Sequence, residues 1–248
     1  MKNTFIKTHD VSSYTVDYNK KYTLCALLRH AQSEAFYHAQ EMGIDGKKIW
    51  DEYKAIWIIT RLRVDMEQMP DWSDVIEVET YPLAPGLVRM ERECLLRHNG
   101  QVFARVSSEW VILDKDRGMP RRPAKTGYPM DLEHREGRVA GEYTNFAPEY
   151  TEQDFVYSYT TRVSDLDMNM HVNNIAYVRL AQDVFTLAEL KDKRLTSFEI
   201  VFKAQSYEGD ELRLYRKEIG DGVYCVSAVN SDGKRIFDTM FTYEKEVL

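Results

Sequence analysis

The sequence has few cysteines and none of the common catalytic signatures, and each shortage excludes a class of protein. Only three cysteines occur among 248 residues, Cys25, Cys94 and Cys225, and no two of them form a CxxC pair. An odd number of widely spaced cysteines excludes a disulfide framework and a thiolate zinc site, and it favours a reducing compartment. The Gly-rich, HExxH and GxSxG signatures of nucleotide enzymes, metalloproteases and serine hydrolases are also missing. We therefore expect no metal and no cofactor.

Long apolar runs and a basic charge balance are missing as well. The longest uncharged apolar run is 55–59, far short of the about 20 residues that a membrane-spanning helix needs. The first ten residues carry neither a secretory signal nor a transit peptide. Forty acidic side chains against 33 basic ones give a net charge of −7, which argues against nucleic acid as a partner. We expect a globular protein without a membrane span, located in the cytoplasm.

One structural plan is repeated along the chain. Residues 61–81 and 197–217 both read as strand, short acidic loop and strand, and Asp74 and Asp210 open the second strand at positions 136 apart. A long hairpin follows in each half, around Asn99-Gly100 and around Asp232-Gly233. Asn-Gly is a two-residue turn that right-twisted strands favour. The similar spacing predicts a duplicated domain.

A helix is predicted near the start of each half, over about 21–43 and 171–190. In the second, apolar residues recur at helical spacing: Ile175, Val178, Ala181, Phe185 and Ala188. Further apolar positions widen the stripe, so this helix should be enclosed, for example by a curved sheet. One long helix followed by antiparallel strands, twice over, indicates the α+β class. We predict domains at 1–130 and 151–248, joined by a linker at 131–150.

The most basic cluster in the chain lies before this linker, in a segment with Pro120, Pro123 and Pro129. Its members are Arg117, Arg121, Arg122 and Lys125. Two interpretations stay open: a solvated connecting segment, or a docking surface for an acidic partner.

Chemistry is best supported at residues 164–174, SDLDMNMHVNN. Asp167, Asn169 and His171 alternate with apolar residues, so in an extended segment they would share one face. Asn173 or Asn174 can cap the following helix, whose first free N–H groups would then face a carbonyl oxygen. Two alternatives remain: an amphipathic strand with its polar face in water, or a turn in which Asp and Asn bond to the backbone.

The stretch Asp165–Tyr177, DLDMNMHVNNIAY, resembles the D-x-N-x-H-V-N-N-x-x-Y motif of the bacterial type of fatty acyl-[acyl-carrier-protein] thioesterases. The resemblance covers nearly the whole chain, including Trp57, PDWSDVIEVETYP at 70–82 and SSEWVILD at 107–114. It implies two tandem hotdog domains, each a curved antiparallel sheet around one long helix. The first domain would hold the acyl chain, for which Met66 and Met69 are candidate contacts, and the second would be catalytic.

By this resemblance, Asp167, Asn169 and His171 are the catalytic residues, and four residues are candidates for substrate binding: Asn173, Asn174, Ile175 and Tyr177. The family's catalytic glutamate aligns with Gln205, and Ser206 stands where plant members have cysteine. A glutamine cannot accept a proton at neutral pH. Either Gln205 only orients the water, or the register differs and Glu199 or Glu208 substitutes.

The implied function is hydrolysis of the fatty acyl-[acyl-carrier-protein] thioester, which releases free fatty acid and ends its synthesis. An acyl-coenzyme A thioesterase and a non-catalytic acyl-binding hotdog protein are the alternatives. The acidic carrier protein would meet the basic cluster and Arg89 or Arg92. We place His30 at the position of His171 in the first half, with no Asp-x-Asn before it, and expect His30 and His38 to be structural or surface residues. A homodimer is one option that the sequence leaves open.

Overall fold

A computed structural model describes residues 3–245. The chain divides into two units: the first ends at Glu142 and the second begins at Tyr143. Within residues 3–245, no helix is both long enough and apolar enough to cross a membrane.

The first unit is an antiparallel sheet with a long helix. Its elements are β1 (Phe5–Asp10), α1 (Leu24–Glu41), α2 (Gly46–Tyr53), β2 (Ala55–Met66), β3 (Val75–Pro82), β4 (Arg89–His98), β5 (Gln101–Asp114) and β6 (Pro120–Arg121). The strand order is β1-β3-β4-β5-β2, and the short β6 pairs with β5. α1 packs on β3 and β1 and buries Leu24, Leu27, Leu28 and Ala31.

The predicted Asn-Gly hairpin is confirmed between β4 and β5. Asn99 and Gly100 both have positive φ, at 50° and 78°, as a type I′ turn requires. Cys94 lies on β4 and is 3% exposed. It is a small core residue.

The second unit repeats this plan in fewer residues. Its elements are β7 (Phe155–Thr160), α3 (Asn174–Gln182), α4 (Leu187–Leu190), β8 (Lys193–Phe202), β9 (Glu211–Gly220), β10 (Val223–Asn230) and β11 (Arg235–Lys245). The strand order is β8-β11-β10-β9-β7, with antiparallel pairing throughout. β3 and β9 begin directly after Asp74 and Asp210. The α+β class and the duplication are thereby confirmed.

The enclosed helix of the second unit is shorter than the sequence pattern predicts. Val178, Leu180 and Ala181 are fully buried, but α3 ends at Gln182 and Phe185 lies outside it. Thr186 starts a new helix, because its side chain accepts the Glu189 N–H while its own N–H donates to the Glu189 carboxylate at 2.7 Å. This capping box is a helix-start signal. The apolar periodicity alone does not predict that a new helix begins here.

Residues 131–150 contain no helix or strand. Part of this segment is held by buried acceptors of the first unit, since the Val139 N–H donates to Glu93 at 2.8 Å and the Ala140 N–H donates to Ser107 Oγ at 3.2 Å. In the second unit, the Thr144 N–H donates to Glu199 at 3.0 Å. Such bonds satisfy backbone groups that have no sheet or helix partner.

Candidate active site

Residues 167–171 form a tight turn and not an extended segment, so the predicted alternation of faces is wrong. The Asp167 N–H donates to the His171 carbonyl at 2.8 Å, and Met170 has a φ of 64°. Leu166 and Val172 pair across the base of the turn as an isolated antiparallel bridge. Met168, which an amphipathic strand would bury, is 90% exposed. The turn alternative is therefore the correct one.

The Asp167 side chain builds this turn. Its Oδ1 atom accepts the Asn169 N–H at 2.7 Å and the His171 N–H at 3.2 Å. Its Oδ2 atom lies 3.5 Å from Asn169 Nδ2 and makes no other hydrogen bond within residues 3–245. Asp167 and Asn169 are therefore in contact within the turn, although they do not lie on one face of a strand. One carboxylate oxygen stays available to a ligand.

His171 closes the turn and is half-buried. Its imidazole contacts the ring of Tyr207 edge-on, with the ring centroids 5.2 Å apart and the planes at 72°. Throughout the described chain, neither ring nitrogen has a hydrogen-bond partner. Both nitrogens are therefore free to exchange a proton with a ligand.

The helix that follows begins beside the turn. Asn173 is its N-cap, as predicted, and its Oδ1 accepts the Ile175 N–H at 2.8 Å. The Ala176 N–H donates to the Asn173 carbonyl. Within the described chain this leaves the Asn174 N–H without an acceptor. The start of α3 therefore offers one free N–H to a carbonyl oxygen, where the sequence predicted several.

An ion pair between the buried Asp165 and the partly exposed Arg179 supports the turn and the helix start together. Asp165 is 5% exposed, and its carboxylate binds Arg179 Nη2 at 2.8 Å, the Tyr159 hydroxyl at 2.9 Å and the Arg162 N–H at 2.8 Å. Its carbonyl accepts the Asn173 N–H at 2.8 Å. Asp165 was predicted only as part of the motif, and Arg179 was not predicted to belong to the site. The available signal was charge: Arg179 is the one cation of α3, and Asp165 is an acidic residue of the segment before it.

The loop after β8 packs against the same turn. The Ser206 N–H donates to the Tyr177 hydroxyl at 2.9 Å, and the Ser206 carbonyl accepts the Val172 N–H at 2.9 Å. Gln205 is exposed and has no hydrogen bond within residues 3–245. Of the two substitutes, Glu208 is exposed on this loop, whereas Glu199 is buried and binds the Thr144 N–H. Glu199 is thus engaged in holding the connecting segment.

Two of the predicted substrate-binding residues are core residues. Ile175 is 6% exposed and Tyr177 is 2% exposed, and the Tyr177 ring packs on Phe202 and Phe237. Burial raises the pKa of the Tyr177 phenol. Its hydroxyl is used to fix Ser206, so Tyr177 shapes the loop beside the turn.

The same turn occurs in the first unit, 150 positions earlier in the chain. Asp17 Oδ1 accepts the Asn19 N–H at 2.8 Å and the Lys21 N–H at 2.9 Å, and Lys20 has a φ of 62°. The expectation that no Asp-x-Asn occurs there is wrong, and Lys21, not His30, takes the place of His171. Aligning His30 with His171 hides the match between the two turns. A constant offset of 150 positions, from Asp17 to Asp167, reveals it.

The two remaining histidines of interest are engaged inside the first unit. His30 Nδ1 bonds to the Tyr22 hydroxyl at 2.5 Å. His38 is fully buried, and its Nδ1 accepts a bond from Arg92 at 3.1 Å. Arg92 also donates to Thr80 Oγ, and burial lowers its pKa to about 10. Arg92 therefore points inward and cannot form the predicted surface contact.

The basic cluster is only partly available. Arg121 is paired with Asp114 at 2.5 Å. The side chains of Arg117, Arg122 and Lys125 are exposed, and within the described chain they form no ion pair. Arg89, the other predicted contact, is exposed and binds Glu109 at 3.2 Å.

Residues 3–245 contain no group of three or more His, Cys, Asp or Glu side chains that could hold a metal ion.

The sequence matches two family profiles in tandem: the acyl-ACP thioesterase N-terminal domain over residues 2–126, and the acyl-ACP thioesterase C-terminal domain over residues 148–245. The chain belongs to the acyl-ACP thioesterase family. The resemblance read from the motif at 165–177 is confirmed.

Known relatives and solved structures agree with this membership. The palmitoyl-acyl carrier protein thioesterase of Arabidopsis thaliana is 26% identical over 221 residues, which cover 81% of this chain and 52% of that protein. The oleoyl-acyl carrier protein thioesterase of Coriandrum sativum is 27% identical over 90% of this chain and 65% of its own. The chain thus spans between about half and two thirds of the length of these relatives.

Two crystal structures share the fold over almost the full length. An acyl-ACP thioesterase from Bacteroides thetaiotaomicron matches with a TM-score of 0.89 and 22% identity over 98% of both chains. The 12:0-ACP thioesterase from Umbellularia californica matches with a TM-score of 0.87 and 20% identity over 99% of both chains. The predicted hotdog fold is confirmed by these neighbours.

Proposed function

We propose that this protein hydrolyses the thioester of fatty acyl-acyl carrier protein and releases a free fatty acid. One observation supports the proposal: within residues 3–245, the imidazole of His171 and the Asn174 N–H at the start of α3 have no hydrogen-bond partner, and Asp167 Oδ2 has only the 3.5 Å approach of Asn169 Nδ2. Acyl transfer requires groups that move protons and an N–H donor that stabilises the negative charge on the carbonyl oxygen. Membership of the thioesterase family supports the same reaction.

In the proposed reaction, the substrate carbonyl oxygen accepts the Asn174 N–H, which stabilises the negative charge of the tetrahedral intermediate. Asp167 uses its Oδ2 atom, because Oδ1 already accepts two backbone N–H groups. It either takes a proton from the attacking water, or attacks the carbonyl carbon itself and forms an acyl–Asp167 anhydride, which water then hydrolyses to release the fatty acid. The C–S bond then breaks, and His171 gives a proton to the departing thiolate.

Two further residues have supporting roles in this scheme. Asn169 lies against Asp167 Oδ2 and can orient the water. Gln205 cannot act as a base, so we assign it at most an orienting role from its exposed position on the loop after β8.

The first unit would hold the acyl chain. A small apolar cavity of about 20 Å³ lies between α1 and the sheet, lined among others by Leu28, Ile59 and Trp110, and it would have to widen to admit an acyl chain. Neither Met66 nor Met69 is among its lining residues. This space is the better candidate for the chain pocket.

The carrier protein is the proposed partner, because several relatives are named for acyl carrier protein substrates. We propose Arg117, Arg122 and Lys125 as its docking surface, since exposed cations without ion pairs suit an acidic partner. A cytoplasmic location fits the three free thiols. A homodimer stays a prediction.

The deciding experiment measures thiol release from matched substrates, one acyl chain carried by acyl carrier protein and the same chain on coenzyme A. The proposal expects a kcat/KM at least about tenfold higher for the carrier-bound chain. Preference for coenzyme A would indicate the alternative thioesterase. Binding of both without thiol release would indicate an acyl-binding protein, for which the glutamine at 205 is the observation in favour.

A further inference from the structure

Within residues 3–245, the imidazole of His171 contacts one other ring, that of Tyr207, and makes no hydrogen bond. In other proteins a working histidine is commonly oriented by a carboxylate or carbonyl on its second nitrogen. Here the contact is T-shaped, with the ring centroids of His171 and Tyr207 5.2 Å apart. Two carboxylates of the turn and the loop are each bonded to backbone through one oxygen: Asp167 Oδ1 accepts the N–H of His171, and Asp210 Oδ2 accepts the N–H of Tyr207.

The position of Tyr207 is fixed through its backbone and not through its hydroxyl. Its N–H donates to Asp210 Oδ2 at 2.9 Å, and its carbonyl accepts the hydroxyl of the buried Thr161. The preceding residue, Ser206, is tied to Tyr177. The Tyr207 side chain is 53% exposed, so the ring adds little to the core while its attachment point is rigid.

The first unit shows that this loop position faces the turn in both copies. Asp71 stands where Tyr207 does, since its N–H donates to Asp74 Oδ2 at 2.8 Å in the same way. Asp71 contacts the residue that replaces His171, because its carboxylate binds Lys21 Nζ at 2.8 Å. One copy therefore pairs Lys with Asp, and the other pairs His with Tyr.

We propose that Tyr207 is the positioning residue of His171, and that an aromatic ring at this place orients the imidazole without binding either of its nitrogens. The proposal rests on the proposed hydrolysis, in which His171 gives a proton to the thiolate. A carboxylate at 207, as at Asp71, would hold one imidazole N–H and favour the protonated ring. The T-shaped contact of the two rings restricts the plane of the imidazole, and within residues 3–245 no hydrogen bond occupies either nitrogen.

Two variants separate the ring from the hydroxyl. Tyr207→Phe keeps the ring, and we expect kcat within about twofold of wild type. Tyr207→Ala removes it, and we expect kcat to fall about tenfold with KM nearly unchanged, because misorientation affects the chemical step. The melting temperature should hardly change, since the side chain is half exposed. The matched control is Asp71→Ala in the first unit, which should leave kcat unchanged.

A spectroscopic readout tests the contact without turnover. The ring protons of His171 should show a ring-current displacement in NMR spectra that persists in Tyr207→Phe and disappears in Tyr207→Ala. If wild-type protein hydrolyses no acyl thioester, the proposed function fails, and this displacement still reports on the positioning. If His171 resonances are the same in Tyr207→Ala and wild type, the positioning role is overturned, whatever the rates.

The variant Tyr207→Asp imitates the first unit. A carboxylate beside the imidazole should move the limb of the pH–rate profile that belongs to His171 upward by about one pH unit. A purely structural effect of the loop would lower the rate at every pH without moving that limb. An unmoved limb in Tyr207→Asp therefore contradicts the proposal.

Discussion

Asp17 and Asp167 make the same hydrogen bonds in the two units of the chain. Each Oδ1 accepts the N–H groups of the second and fourth residues that follow it, and each backbone N–H bonds to the carbonyl of that fourth residue. Turn building alone therefore explains why an aspartate stands at both places. The chemistry of the second copy has to come from what differs around the turn, His171 in place of Lys21 and Tyr207 in place of Asp71.

The repeated turn gives a matched pair of variants. Asparagine keeps the acceptor oxygen that the turn uses but cannot act as a base or nucleophile. We expect Asp167→Asn to fold normally and to lose at least about 100-fold in kcat, whereas Asp17→Asn should keep both stability and activity. Steady-state kinetics on acyl carrier substrate and thermal melts measure these effects. A wild-type rate for Asp167→Asn would refute the role of the carboxylate in the reaction.

The helix start offers a second matched pair. Asn173 caps α3 through the Ile175 N–H, and Thr23 caps α1 through the Ala26 N–H at 3.2 Å. Replacing either cap by alanine should lower the free energy of unfolding by about 1 kcal/mol. Only Asn173→Ala should also lower kcat, since it disturbs the N–H proposed to face the substrate oxygen. Equal kinetics for Asn173→Ala and Thr23→Ala would remove the helix start from the mechanism.

The buried carboxylate of Asp165 predicts a large effect on stability. Asp165→Ala leaves the Tyr159 hydroxyl, the Arg162 N–H and the Arg179 guanidinium without their shared acceptor. Because Arg179 is 42% exposed, water can replace part of the loss, and we expect destabilisation of about 2 kcal/mol. Urea unfolding measures it. The companion variant Asp183→Ala removes the exposed partner of Arg179, and its effect should stay below about 0.5 kcal/mol.

The fold could be predicted from the sequence because its signals are local and repeated. The Asn99-Gly100 dipeptide specifies a turn with two positive φ angles, and Asp74 and Asp210 recur before the same strand. The break before α4 was missed because the apolar period continues through Phe185, although Thr186 and Glu189 form a capping box. Local capping overruled the periodicity.

The sequence motif selects the candidate residues, but it does not predict the geometry in which the structure places them. Alternation of polar and apolar residues cannot distinguish a strand from a turn in which Asp167 bonds to the backbone, and here the side-chain bonds decide the outcome. Tyr207 and Arg179 act through contacts between segments distant in sequence. No spacing rule within one sequence reports such contacts.

One buried and one half-buried group of the first unit, Glu93 and His30, predict opposing effects of pH on stability. Burial raises the pKa of the Glu93 carboxyl to about 7, partly offset by bonds from Ser107 and Val139. The folded protein therefore keeps a proton that the unfolded chain has released, so this group lowers stability as pH rises from about 4.5 to 7.

Burial, together with the charges of His9 and Lys7, lowers the pKa of His30 to about 4. The unfolded chain then holds the extra proton, so this group raises stability as pH rises from about 4 to 6.5.

Because the two contributions oppose each other, they are best separated by substitution. Glu93→Gln leaves the His30 contribution alone, and its free energy of unfolding should rise by about 2 kcal/mol between pH 4.5 and 6.5. His30→Gln leaves the Glu93 contribution alone, and its stability should fall over the same range. Urea midpoints at both pH values measure the slopes. Parallel slopes for the two variants would contradict the assignment.

The docking surface predicts a change in KM that depends on the carrier. Arg122 is exposed and forms no ion pair within residues 3–245, whereas Arg121 is held by Asp114. Arg122→Glu should therefore raise KM for acyl carrier protein substrate about five- to tenfold at low salt, since it replaces an attractive charge by a repulsive one. The effect should shrink as salt is added. KM for a small acyl thioester without the carrier should not change, and kcat should stay constant for both substrates.

Charge reversal at Lys234, an exposed cation of the second unit, is the control. An equal rise in KM for the small thioester would show that Arg122 acts on the acyl group and not on the carrier.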